Sequence, residues 1–155
     1  MSRSVGNSLV MAGRVTSDMD VDRTDVRAYK TMITFADVEA FRRTQEAVEF
    51  ADGWIKAQQN GTVTSEYHMN LLTWSSTYPF QALGIVLNMI DHVGNDKNCA
   101  EMIAMGPVEW LVEHAPEDFI PILHSAVHAH PGFATYTKWK RENSEIGVWS
   151  QLRQM

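Results

Sequence analysis

The sequence predicts an all-α fold: a single compact domain of about seven or eight short antiparallel helices, in a bundle or a HEAT-like stack. Three observations predict it. From about Thr34 onward, apolar residues recur at three- and four-residue steps. Pro, Gly or Asn-Gly marks separate these stretches. Alternation with β-branched enrichment, the mark of a strand, is scarce. At 155 residues and 45% hydrophobic content, the chain is long enough to bury a core.

Residues 1–27 read as an N-terminal arm and 28–155 as the helical domain. The arm is rich in Ser, Gly, Asn and Asp, and Asp18, Asp20, Asp22 and Asp25 form an acidic cluster. Such a segment orders when it docks on the body or a partner. The first helix is expected over Thr34–Gln59, with Phe35, Val38, Phe41, Val48, Trp54 and Ile55 as its apolar content. Thr34 and Asp37 match a capping box, and Asn60-Gly61 a stop. A second helix is expected over Ser65–Trp74, followed by a polar turn at Ser75, Ser76 and Thr77.

Pro79 suits the first turn of a third helix. Its stripe, Phe80, Leu83, Val86, Leu87, Ile90 and Val93, ends at Gly94-Asn95. Asp96–Met105 reads as a fourth helix, carrying Cys99, Met102 and Ile103. Gly106-Pro107 reads as a break and restart, leading to a short helix lined by Val108, Leu111 and Val112 that closes at Ala115-Pro116. Asp118 as N-cap places Pro121 in a first turn, where its missing N–H costs nothing. Pro131 starts the next helix, with Phe133, Tyr136 and Trp139, and Ile146, Trp149 and Leu152 suggest a last one.

Composition narrows function. The net charge of -6 disfavours nonspecific nucleic-acid binding, which rests on Lys and Arg neutralising phosphates, and suits a basic protein partner. No apolar run approaches the roughly 20 residues of a membrane span, so no membrane partner is expected. The N-terminus lacks an apolar stretch of signal-peptide type. The single Cys99 forms no internal disulfide, which fits a reducing compartment. The expected location is therefore cytoplasmic.

No complete catalytic motif is present, and no catalytic residue is assigned. His124 and His128 lie four apart, so they share a helix face and form a candidate metal pair, with zinc the candidate ion. No Glu follows His124, which excludes the zincin pattern. Glu113, His114, Asp91 or His92 would have to complete a ligand set, and the plainer reading is that the pair flanks the buried stripe. Glu109 and Glu113 are an i, i+4 pair. Glu109 reads as a dipole-matched charge after Pro107 and Glu113 as a solvated residue. Cys99 reads as a small core residue rather than a nucleophile. Most of the tryptophans read as core anchors. Trp110, at the edge of a helix face, is the candidate binding anchor. Met89, Met102 and Met105 sit within helical stripes, where Met fills irregular cores or forms adaptable surfaces.

The segment from Ala104 to His114, with its small-residue-Gly-Pro-Val-Glu run, two apolar positions and His, resembles a motif of an uncharacterised bacterial all-helical domain family. The preceding helix and the later Ala126–Phe133 run with Trp139 are also similar, so the resemblance spans about residues 74–140. Val108 stands where Leu is usual, and Ala115-Pro116 where Gly is usual. The resemblance implies an all-helical bacterial domain and no activity.

The expectation is a non-enzymatic protein-binding module, in its specific form a small acidic inhibitor of immunity type that neutralises a basic protein. Asp18, Asp20, Asp22 and Asp25 would steer association and Trp110 would anchor it. The alternatives are a metal-binding protein or metal-dependent hydrolase using His124 and His128, and a phage or bacterial structural or assembly subunit that forms homo-oligomers.

Overall fold

One helix is buried on nearly every side, and the others are arranged around it. The structure, a computed structural model, describes residues 33–62 and 65–154. The helical domain is the unit Thr34–Met155. The expected arm, with Asp18, Asp20, Asp22 and Asp25, lies outside the described residues. In order, the elements are α1 (Phe35–Arg42), α2 (Gln45–Gln59), α3 (Ser65–Thr77), α4 (Pro79–His92) and α5 (Lys97–Ile103). A π-helical turn (Ala104–Val108), α6 (Glu109–His114), a 3-10 turn (Glu117–Phe119), α7 (Ile120–Ala129), α8 (Pro131–Asn143) and α9 (Gly147–Gln154) follow. Among the described residues there is no strand.

The central helix is α4. Pro79 occupies its first turn, and Ala82 through Ile90 are all buried. It touches α1, α2, α3, α5, α6 and α8. A helix that is apolar all round needs neighbours on every side, and the short connections supply them. Gly94, at φ +67°, gives the left-handed turn after its C-terminus.

Several boundaries differ from the sequence expectation, each for a local reason. The expected Thr34–Gln59 helix is two helices. Thr44 is extended and its hydroxyl accepts from Ala47 N at 3.2 Å, which starts α2 afresh. At the head of α1, the Asp37 carboxylate accepts from Thr34 N at 2.7 Å, as the capping box requires. The expected polar turn at Ser75–Thr77 is helical, because buried Ser75 bonds back to Leu71 O at 2.8 Å and needs no solvent. Asp118 is not an N-cap but lies inside the 3-10 turn, and α7 starts beyond it with Pro121 in its first turn.

The expected break at Gly106-Pro107 is also absent. The chain stays helical from Lys97 to His114, widening into a π turn around Pro107. Proline has no N–H to donate, and its ring crowds the carbonyl four residues back. A wider turn accommodates both. Glu109 therefore continues a helix from α5 and the π turn and does not sit at a free helix start.

The junction of α1, α4 and α8 is polar. Asp91, at the end of α4, accepts from Arg42 Nη1 at 2.7 Å and from His130 Nε2 at 2.9 Å. Asn88 adds a bond to Arg42 O at 2.8 Å. His130 Nδ1 accepts from Phe133 N at 3.0 Å, so the imidazole itself caps α8. Its two partners fix the neutral tautomer with the proton on Nε2. Phe133 is fully buried, and removing its acceptor leaves an unsatisfied amide.

His130→Ala is expected to destabilise by about 1–3 kcal/mol, read from the urea midpoint. An unchanged midpoint would mean that the cap does not matter. The helical glycines give a contrast. A Cβ on Gly84 would come 2.8 Å from Phe41 Cδ2, whereas one on Gly106 meets the Trp110 ring at an ordinary 3.5 Å. Gly84→Ala should therefore cost about 1–3 kcal/mol and Gly106→Ala should stabilise by up to about 1 kcal/mol. The reverse order in thermal melts would contradict this packing.

Candidate partner-binding surface

The expected anchor, Trp110, is half-buried in the domain. Its ring lies edge-on to His68 of α3 at 5.3 Å between centroids and covers Gly106. His114 Nδ1 lies 3.0 Å from Trp110 O and closes the end of α6. Trp110 therefore joins α3 to the π turn and α6, and part of it still reaches the surface.

On either side of this contact stand exposed methionines. Met69 follows His68 on α3 and is 58% exposed, and Met105 precedes Gly106 and is 63% exposed. Met102, one turn before Met105, is 43% exposed. Met69 on α3 and Met102 and Met105 at the α5–π corner are the exposed apolar side chains of two segments that pack together beside Trp110, a region called the ledge below. Met89, by contrast, is fully buried. The Met102 and Met105 side chains were legible as part of a stripe but not as its outer edge. Met102 lies in regular α5 and Met105 in the π turn, both on the outer side of a segment whose Cys99, Ile103, Pro107 and Val108 are buried.

Charge decorates the ledge. Glu66 lies one turn before Met69, and Glu101 one turn before Met105. Neither takes part in an ion pair among the described residues, whereas Glu39, Asp91, Glu109, Glu113 and Glu142 all do. The charge of Glu66 adds to burial, the larger cause, in pushing the Tyr67 phenol up.

The acidity belongs to the helical domain rather than to the arm. Before Ile33, Asp18, Asp20, Asp22 and Asp25 are offset by Arg3, Arg14, Arg23, Arg27 and Lys30. From Ile33 onward, 8 Lys and Arg remain of 13, against 15 Asp and Glu of 19, which carries the whole net negative charge.

Glu109 and Glu113 have structural partners. Lys140 Nζ lies 3.2 Å from Glu109 and 3.7 Å from Glu113, and Glu113 accepts from the Trp149 indole at 2.8 Å. Trp149 is fully buried, so Glu113 satisfies a core donor and is not simply a solvated charge. Trp139 had been expected in the core but is 69% exposed on α8. Phe133 to Trp139 is six residues, about 600° around a helix of 100° per residue, which faces away from Phe133. Ile146 precedes α9 and is likewise exposed.

His124 and His128 lie together on α7, with their Nε2 atoms 3.1 Å apart. Among the described residues, no group of three or more His, Cys, Asp or Glu is placed to hold a metal ion. A shallow cavity of about 190 Å³ is lined by Gln58, Gln59, Asp96, Asn98, Cys99 and Met102. Small-molecule sites usually offer about 300–1,000 Å³. Here Asp96 is already engaged: it caps Cys99 N at 3.0 Å and accepts from Gln59 at 3.1 Å. Those bonds hold its carboxyl below the usual range. Burial, then the charge of Asp96, pushes the Cys99 thiol up. Both effects favour an inert thiol.

No protein-family model, no curated protein and no solved structure matches this chain.

Burial raises Tyr136 as well, with a smaller contribution from Cys99. Cys99, Tyr67 and Tyr136 thus all hold their protons more tightly in the folded chain. Their contribution to stability is complete below the ordinary values of 9.0 and 10.0 and is lost as pH rises through the raised, folded values. The urea midpoint should fall between about pH 8 and about pH 10.5, less steeply in Cys99→Ala. A midpoint that holds or rises over this window would contradict the burial of these groups.

Proposed function

We propose that the helical domain is a non-enzymatic protein-binding module whose ledge receives a basic amphipathic helix. The observation that carries this reading is the exposure of Met69, Met102 and Met105 on segments that flank Trp110, with Glu66 and Glu101 one turn away and in no ion pair among the described residues. Methionine is flexible and polarizable, so it fits apolar side chains of varied shape. A helix laid on such a surface offers anchors at three- and four-residue steps. Its lysines or arginines meet the acidic rim, and the excess of 15 acids over 8 bases in the domain favours a cationic approach. Trp110, held by His68, adds a rigid edge to the ledge.

The more specific form of the reading is an inhibitor of immunity type that neutralises a basic protein by covering its active or binding face. The charge balance supports it, as does the engagement of most polar groups in structural bonds. Steering in this form comes chiefly from the helical domain, with the arm's four aspartates offset by their neighbouring bases.

The test uses the full chain with ε-¹³C-methionine and two model peptides, an amphipathic Leu/Lys helix and its Leu/Glu counterpart. The Leu/Lys peptide should shift the methyl signals of Met69, Met102 and Met105 and leave that of Met89 unmoved. Binding should weaken with salt and fall about tenfold, or about 1.4 kcal/mol, in Met69→Gln/Met105→Gln. Glu66→Gln/Glu101→Gln should flatten the salt dependence. Equal binding of both peptides, or binding that leaves the Met69, Met102 and Met105 methyl signals unmoved, would sink this reading.

A further inference from the structure

We infer that His124 and His128 form a two-histidine chelate for one divalent transition cation, zinc or copper(II). This inference is independent of the ledge, because α7 carries neither Met69, Met105 nor Trp110. The i, i+4 spacing puts both imidazoles on one face of α7, and the structure sets their rings 4.3 Å apart between centroids and inclined by 69°. Their Nε2 atoms converge to 3.1 Å. Two imidazole nitrogens bound at about 2.0–2.1 Å are about 3.4 Å apart at a tetrahedral angle and about 2.9 Å apart at a right angle. The observed separation lies between these values, so the two nitrogens are already spaced for one shared cation, and binding requires the rings to turn about their side-chain torsions until both lone pairs aim at it.

The other histidines are arranged differently. His130 commits both ring nitrogens, to Asp91 and Phe133. His92 Nδ1 faces Asp52 at 2.8 Å, His114 faces its own helix, and His68 packs against Trp110. Only in His124 and His128, among the described residues, do two imidazole nitrogens come within hydrogen-bond distance of each other. The nitrogens are accessible: His124 is half-buried and His128 exposed, so a cation reaches them without unfolding the domain.

In the neutral pair, one Nε2–H donates to the other Nε2. A cation takes both lone pairs, and the donor ring moves its proton from Nε2 to Nδ1. No proton is lost from the pair and no redox change occurs. Two protein nitrogens leave further positions for water or for a ligand atom from another molecule, so the site is open, unlike the closed four-ligand sites of structural zinc.

The experiment is a titration of the ¹⁵N-histidine-labelled full chain with zinc chloride, read by long-range imidazole NMR, with copper(II) EPR as the second readout. A saturable one-to-one change at the His124 and His128 ring nitrogens is expected, together with a two-nitrogen copper signal. His124→Gln and His128→Gln should each weaken zinc by no less than the about 10- to 100-fold effect of altering a ligand's hydrogen-bond partner. His92→Gln should leave the affinity unchanged. Both substitutions on α7 are at solvent-accessible positions, and backbone spectra confirm the fold in each. Absence of saturable change at either ring, or equal affinity in His124→Gln/His128→Gln, would overturn the assignment.

Discussion

The fold depends on one constraint: α4 is predominantly apolar, is buried around its whole middle, and must be enclosed. Every residue from Ala82 to Ile90 is buried, and six other helices supply the enclosure. Its C-terminal end is exposed, and there Asp91 joins Arg42 of α1 to His130 at the α7–α8 junction. Apolar contact alone does not fix how far one helix slides along another. A carboxylate held by two donors from different elements does so, and His130 couples that register to the start of α8 through Phe133 N. At the opposite side, Glu113, Lys140 and Trp149 tie α6, α8 and α9 in a similar way.

With these polar groups committed to the scaffold, the exposed apolar side chains stand out. The π turn is the structural device behind them. It carries the helix through Pro107 without a break, holds the exposed Met105, and leaves Trp110 packed over Gly106 against His68. A proline that reads as punctuation in one dimension is, in the folded chain, a means of shaping a surface.

Much of the fold was legible in the sequence. The stripe from Phe80 to Ile90, the Asn60-Gly61 stop and the starts at Pro79 and Pro131 all carry strong local signals, and tertiary packing agrees with them. The division at Thr44 was not legible, since Arg43 and Thr44 interrupt an otherwise continuous helical pattern. The hydroxyl of Thr44 made the difference by competing for the backbone. The site was less legible than the fold. His124 and His128 were placed on one face by arithmetic alone, and they do converge. Trp139 was assigned inward because steps of three look helical, although two such steps drift about 120° from the starting face. Trp110 was singled out as an edge residue, but its contact with His68 is long-range and left no mark in the sequence. The cap at His130 left no mark in the sequence, because its partner Asp91 is 39 residues away.

The central functional claim is that the ledge between α3 and the π turn receives a cationic amphipathic helix. Amide hydrogen exchange of the full chain, with and without the Leu/Lys peptide, tests it most directly, because opening of each element is read along its own backbone. The account predicts new protection confined to residues 65–77 and 97–110, with α4 the most protected element in both states. Protection gained instead along α8 around Trp139, or spread evenly over the domain, would contradict it.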